Sequence, residues 1–355
     1  MPKMKIFNSL EKEAFDSPPI FNSAERKQFF PLPLLLKGSI ADLRTPTNKV
    51  CFLVAAGYFK ARRRFFARQF HQADLEYVAR QIDVNPAEIY IEVYDRATSA
   101  RHQRIILNYF GCSPFNKAAK IITASEIEAL IPVQYRPKLI LLEIIQILTR
   151  QKIEIPSYNV LTGMIVTAIN RHRHELSAIV EAGLSKTQRA SLDALLEKEP
   201  DNGTSGGWRY RITLLKRPFQ STRPVKIRAN LADLDTLQTL YLDLKPVVQR
   251  LDLSYECARY YAYSVIKSQI PQVSRRADHD RLLHLIAFVA YQTFRLNDTL
   301  IDTLLSAVQA AVNSAVKAQK ETYFQEREQR GQSLSALADN LRQSVRRRYP
   351  GSGIS

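Results

Sequence analysis

The chain has 355 residues, 45% hydrophobic and 24% charged, and its 51 Lys+Arg against 34 Asp+Glu give a formal net charge of +17 and a pI near 9.8. This length and apolar content exclude a wholly disordered chain and favour two or three domains, while the low glycine count of 11 favours helix. The charge calls for an anionic partner, nucleic acid before an anionic membrane, and it is no mere tail: residues 1–150 carry 22 Lys+Arg against 14 Asp+Glu, the remainder 29 against 20.

Residues 1–22 read as an irregular leader with an extended element, FDSPPIF, at Phe15–Phe21. Ser23 is placed to cap a short helix that Pro31 and Pro33 end. The chain is then organised around LRTPTNKVCFLVAAGYFKARRRFF, Leu43 to Phe66. No carboxylate occurs between Asp42 and Asp74, whereas Arg44, Lys49, Lys60, Arg62, Arg63, Arg64 and Arg68 all do. Thr45 suits an N-cap and Pro46 the first helical position, so a largely buried helix is predicted from Pro46 to Lys60, with Gly57 serving close packing. It delivers its arginines at the C-terminal end, where cations suit the helix dipole. The stretch reads either as a holder of phosphates, with Thr45 and Asn48 beside the cations, or as a solvated basic face.

Leu75, Val78, Ala79 and Ile82 fall at helical spacing in DLEYVARQI. A turn at Asp83–Asn85 leads into PAEIYIEVYD, with Asn85 as cap, and the pair is predicted as a helix-turn-helix-like unit, a pattern shared by many helical hairpins. A further helix from Ser99 to Phe110 carries Arg101, His102 and Arg104 and stops at Gly111. Helices at Ser125–Ile131 and Pro137–Arg150 follow, then two between Ser157 and Leu196, broken near Gly183 with Ser185 capping the second. DNGTSGG, Asp201–Gly207, is the clearest linker. It opens a second carboxylate-free window, Asn202–Ala232, containing Trp208, Arg209, Tyr210, Arg211, Lys216, Arg217, Arg223, Lys226 and Arg228. From Pro224 the pattern is helical: Ser254–Ile270, an apolar core helix at His279–Phe294, and a last helix capped by Asn297 with Leu300, Leu304, Leu305, Val308, Ala311, Val312 and Ala315 on one stripe. The predicted fold is therefore all-α and multi-domain: a DNA-binding domain at 1–150, a second basic region at 151–232 and a helical scaffold or dimerisation region at 233–355.

No phosphate-cradling glycine loop is present. His172 and His174 face different sides of a helix, and His279 and His284 flank a core helix, so neither pair makes convincing ligands. Tyr349, after Arg346–Arg348, sits too near the terminus to read as a nucleophile. No catalytic, metal or cofactor site is expected. Cys51, Cys112 and Cys257 form neither metal spacing nor a disulfide framework, as in a reducing cytoplasm. The N-terminus lacks the apolar core of a signal peptide, and the runs Leu139–Leu148 and Leu282–Phe294 are too short or interrupted to span a bilayer, so a cytoplasmic protein without a membrane partner is expected.

Several of these stretches together resemble the N-terminal portion of the replicative, cointegrate-forming transposases of class II transposons, the Tn-three family. They are FDSPP at Phe15–Pro19, ERK at Glu25–Lys27, TPTNK at Thr45–Lys49, GYFKARRRFF at Gly57–Phe66, Asp74 with Tyr77–Ala79, then Tyr94–Asp95, Thr98, Arg101–His102 and Gly111. IPSYNVLTGMI, Ile155–Ile165, and HLIAFVAYQTFRLNDTLID, His284–Asp302, resemble later segments more loosely. The resemblance implies recognition of terminal inverted repeats by helical domains, with the chemistry on an acidic triad much further along such proteins, so this chain is expected to bind and not to cut. The leading expectation is sequence-specific binding of double-stranded DNA, with cations positioning phosphates and Arg101, His102 and Arg104 favoured over Pro86–Tyr94 for the base edges. The alternative is a helical interaction or homodimerisation module with incidental, non-specific DNA contact. RNA binding is disfavoured by the lack of an aromatic stacking motif.

Overall fold

A computed structural model describes residues 6–30, 43–200, 208–216 and 218–348. The fold is all-α apart from one short antiparallel ribbon. It divides into two compact units, Met1–Lys186 with Lys245–Phe288, and Thr187–Leu244 with Val289–Ser355. These boundaries cross the three successive segments expected from sequence, because the chain from Lys245 to Phe288 belongs with the N-terminal helices.

In the first unit, α1 (Ser9–Asp16) and α2 (Ser23–Phe29) both begin with capping boxes, Asn8 with Glu11 and Asn22 with Glu25. Ser9–Asp16 of the leader is thus helical where irregular chain was expected, and Asn22 rather than Ser23 caps α2; Pro31 and Pro33 lie outside the described residues. The central helix, α3 (Pro46–Arg62), is capped by Thr45 Oγ1, which accepts from Asn48 N at 3.2 Å. Val50, Phe52, Val54 and Phe59 are fully buried on it, each worth about 1.5–3 kcal/mol of apolar burial. A Cβ on Gly57 would stand 2.3 Å from the Phe30 ring, so close packing against the α2 end does require glycine.

Besides α2, two more helices pack on α3: α4 (Gln72–Gln81) and α5 (Arg96–Tyr109). The segment between them corrects the helix-turn-helix expectation, since Pro86–Tyr94 forms two single 3-10 turns, Pro86–Glu88 and Ile91–Val93. Its alternating β-branched residues disfavour helix, and the Thr47 hydroxyl accepts from Tyr90 N at 3.1 Å between the two turns. Gly111 closes α5 at φ 58°, as a C′ glycine does. The next three helices pack on one another: α6 (Lys117–Leu130), α7 (Pro137–Arg150) and α8 (Tyr158–Gly183), with Ile127, Ile140, Ile144, Leu161 and Ile165 fully buried.

The second unit contains most of α9 (Lys186–Ala194), then β1 (Lys198–Pro200) paired antiparallel with β2 (Trp208–Tyr210), α10 (Arg211–Leu215) and α11 (Pro224–Leu251) up to Leu244. The linker 201–207 lies outside the described residues. Buried Asn230 accepts from Phe219 N at 2.9 Å and donates to Phe219 O at 2.8 Å, anchoring the chain after α10 to α11.

Back in the first unit are α12 (Tyr255–Lys267), α13 (Ile270–Ser274) and the start of α14 (Asp278–Arg348). The hydroxyls of Tyr135 and Tyr261 bond at 2.5 Å, and Cys257 Sγ lies 3.5 Å from Ile131 O. α14 runs unbroken through Asn297, correcting the expected separate final helix. An exposed asparagine within a helix costs only tenths of a kcal/mol, too little to stop one this long. Leu282–Val289 is buried all round, whereas Ile301, Leu304, Leu305, Val308, Val312 and Val316 are exposed. By length and composition alone α14 could cross a membrane; its apolar window has a mean hydropathy of 1.2 and is 6% buried.

Candidate nucleic-acid interface

The arginines that end α3 do not act alike. Arg62 is exposed, Arg63 half-buried and Arg64 only 6% exposed. Arg64 donates to Phe15 O at 2.5 Å and to Asp16 at 2.9 Å, with its guanidinium 4.4 Å from the Phe15 ring centre. Burial draws its pKa below the usual arginine value while Asp16 draws it back. Arg64 is thus turned inward, a correction to its expected place among the phosphate contacts. Arg63 closes α3 in the left-handed region at φ 55°, lies over the Phe110 ring at 5.6 Å, and its carbonyl accepts from Ile155 N at 2.9 Å. Lys60 is exposed but donates to Gln28 O at 2.6 Å.

At the other end of α3, Arg44 and Thr45 are exposed, and Asn48 and Lys49 half-buried. A 17-residue helix spans about 25 Å, so the first basic window is two poles and not one cluster. Phe52 meets His102 and Phe59 meets Phe110, which sets α3 and α5 side by side in the same direction.

The solvent face of α5 is the best-formed basic surface. Arg101, Arg104 and Asn108 are exposed at helical spacing, and α5 itself contains no carboxylate. Arg68, from the loop after α3, donates to Tyr94 O at 3.3 Å. Asp95 caps α5 through Thr98 N at 2.6 Å; that bond, with Arg101 and Arg68 nearby, holds its carboxyl below the usual range. The structure therefore brings both Arg68 and Arg101 close to Asp95, cations that sequence reasoning assigned to separate elements. Asn108 lies within the Ser99–Asn108 stretch offered for base edges but was not singled out with Arg101, His102 and Arg104, though its spacing of four from Arg104 was there to be read. His102 faces inward: it is 1% exposed and 3.0 Å from the Tyr94 hydroxyl, and burial lowers its pKa to about 4. It cannot reach a base edge, a second correction.

In the second unit Trp208 and Arg209 form β2 through their backbones, Arg211 is exposed, and Lys216 is 9% exposed. Arg217 lies outside the described residues. Arg223 and Arg228 are exposed, and Lys226 sits 4.1 Å over the Phe219 ring. Among the described residues no three His, Cys, Asp or Glu side chains gather as a metal site.

The quoted motifs prove to hold one another. FDSPP meets ARRR through Asp16–Arg64, while ERK meets the 74–79 segment through Arg26–Asp74 at 2.7 Å. Tyr58 of GYF donates to Asp74 at 2.8 Å. Residues 6–168, inside the first unit, match the family model described as "Domain of unknown function (DUF4158)". No curated protein matches the chain.

Proposed function

We propose that this chain binds double-stranded DNA at a specific site, as the end-recognising part of a replicative transposase, and that α5 is the helix that enters the major groove. The observation that carries the reading is the exposed, carboxylate-free face of α5 bearing Arg101, Arg104 and Asn108. Arginine pairs with guanine edges and asparagine with adenine, so this face has the side chains for direct readout. Arg68 offsets Asp95 at the start of α5, and Arg62 and Lys49 on α3, with Arg44 just before it, remain as phosphate contacts. The role is recognition, not cleavage. The match to a domain of unknown function fits this reading without deciding it. The test is binding by the Arg101→Ala/Arg104→Ala variant to terminal inverted repeats and to scrambled duplex. Each lost base contact costs roughly 1–3 kcal/mol of discrimination, so affinity for the repeat should fall to that for scrambled duplex. Preserved preference for the repeat would refute α5 as the reading helix.

A second reading, self-association through α14, is favoured by its exposed apolar stripe from Ile301 to Val316. Sedimentation of the full chain should then show a dimer that Leu304→Glu with Val308→Glu abolishes; a monomer throughout would remove this reading.

A further inference from the structure

The first unit also carries a concave surface, built from none of the residues of the proposed DNA interface. Between Tyr135–Arg136 and α12 lies a cleft of about 560 Å³, lined by Arg136, Glu256, Arg259, Tyr260, Tyr263 and Lys267. That size falls in the range of roughly 300–1,000 Å³ typical of small-ligand sites. Three cations face one carboxylate. Glu256 lies 3.5 Å from Arg259 and 3.8 Å from Arg136, so it aligns two guanidiniums and leaves the cleft with a positive surplus.

The rings are presented and held. Tyr260 is 38% exposed and packs on Tyr135 at 4.6 Å between centroids, and Tyr135 is fixed by its hydroxyl bond to Tyr261. Arg259 and Lys267 both lie against the Tyr263 ring, at 5.5 and 5.7 Å from its centre. Ser264 and Ser268, which also line the cleft, accept from Arg276 Nη2 at 2.9 and 3.2 Å. A hydroxyl that accepts from a guanidinium keeps its own proton to donate, so Ser264 adds a polarised donor. Arg276 Nη1 is buried without a hydrogen-bond partner.

Aromatic faces beside cations and hydroxyl donors suit a base together with its phosphate. In a duplex the base faces are stacked on one another, so such a cleft fits a nucleotide taken out of the stack. We infer that this cleft holds an unstacked nucleotide of a single DNA strand, its base on Tyr260 or Tyr263 and its phosphate among Arg136, Arg259 and Lys267. The inference goes beyond the duplex reading and stands without it.

The test uses the full chain with fluorescein-labelled oligo(dT), read by anisotropy at low salt, beside a labelled duplex carrying the inverted repeat. Two variants are compared, Tyr263→Leu, which keeps most of the apolar volume and removes the ring face, and Arg259→Ala/Lys267→Ala, which removes two of the three cations and leaves the ring in place. Each should weaken oligo(dT) binding by roughly fivefold or more, the lower end of what a stacking contact contributes, with helicity and duplex affinity unchanged. No oligo(dT) binding, or equal binding by wild type and both variants, would overturn the inference, even with duplex binding intact. Loss of duplex binding alone would instead count against the α5 reading. Displacement of the strand by dTMP at equal nucleotide concentration would overturn a strand in favour of a free nucleotide.

Discussion

At the scale of single residues, neighbouring cations in one run have opposite jobs. Arg62 faces solvent while Arg64 is folded onto Phe15 and Asp16. Removing Arg64 takes the charged partner from Asp16 and leaves a cavity; breaking a largely buried ion pair costs about 3–5 kcal/mol, less here because Asp16 is partly solvated and still accepts from Tyr158 N. Arg64→Ala should therefore lower the melting temperature of the first unit, whereas Arg62→Ala should leave it unchanged and weaken DNA binding; the reverse pattern would show the two roles misassigned. His102 makes a second prediction. Its folded pKa of about 4 lies below the ordinary value of about 6.5, and that of His284 is lowered to about 4 as well, burial being the largest cause for both. A depressed histidine stabilises the fold in its neutral form, fully above pH 6.5, and the contribution is lost as pH falls toward 4. Each tenfold change in protonation equilibrium is worth about 1.4 kcal/mol. Urea unfolding should show stability dropping by a few kcal/mol between about pH 7 and pH 4.5; a flat profile there would contradict the buried, neutral assignment.

At the scale of elements, helices with strong local signals were legible and those set by distant contacts were not. The start of α3 could be read from Thr-Pro, where cap, first-turn proline and burial agree, and α7 from a strongly apolar stretch opened by Pro137, where first-turn proline and burial agree. The segment 86–93 could not be read, since Thr47, some 40 residues away, decides how its backbone is bonded. α1 was missed although its capping box was present, because one apolar turn is easily outweighed by neighbouring prolines. The candidate site was legible in part: the exposed arginines of α5 were named, but burial of Arg64 and His102 depends on partners that no spacing reveals. Gly57 tests the packing of α2 on α3. Its Cβ would overlap Phe30, itself buried, so Gly57→Ala should destabilise by about 1–3 kcal/mol, as overpacking does, despite alanine's better helix propensity. A stabilised variant in a denaturant titration would show that α2 is not fixed there.

At the scale of the molecule, the +17 charge supplies a general attraction for polyanions, and the carboxylate-free face of α5 is proposed to convert it into a preference. The two contributions respond differently to salt. Phosphate contacts release counterions and lose affinity with added salt, by about 0.9 in log slope per contact, on any sequence. Base-edge contacts set the ratio between sequences and respond to it far less. The motifs that carry the family resemblance serve mainly to hold the first unit together, through Asp16–Arg64, Arg26–Asp74 and Tyr58–Asp74. They build the platform on which Arg68, Arg101 and Arg104 stand. The most direct measurement is a gel-shift salt series, from about 50 to 200 mM, on a transposon terminal inverted repeat of the kind proposed and on scrambled duplex. The account predicts a steep loss of affinity on both, with a preference for the repeat that survives at every salt concentration and depends on Arg101 and Arg104. Equal binding to the two duplexes across the series would contradict it and leave a basic helical scaffold without site recognition.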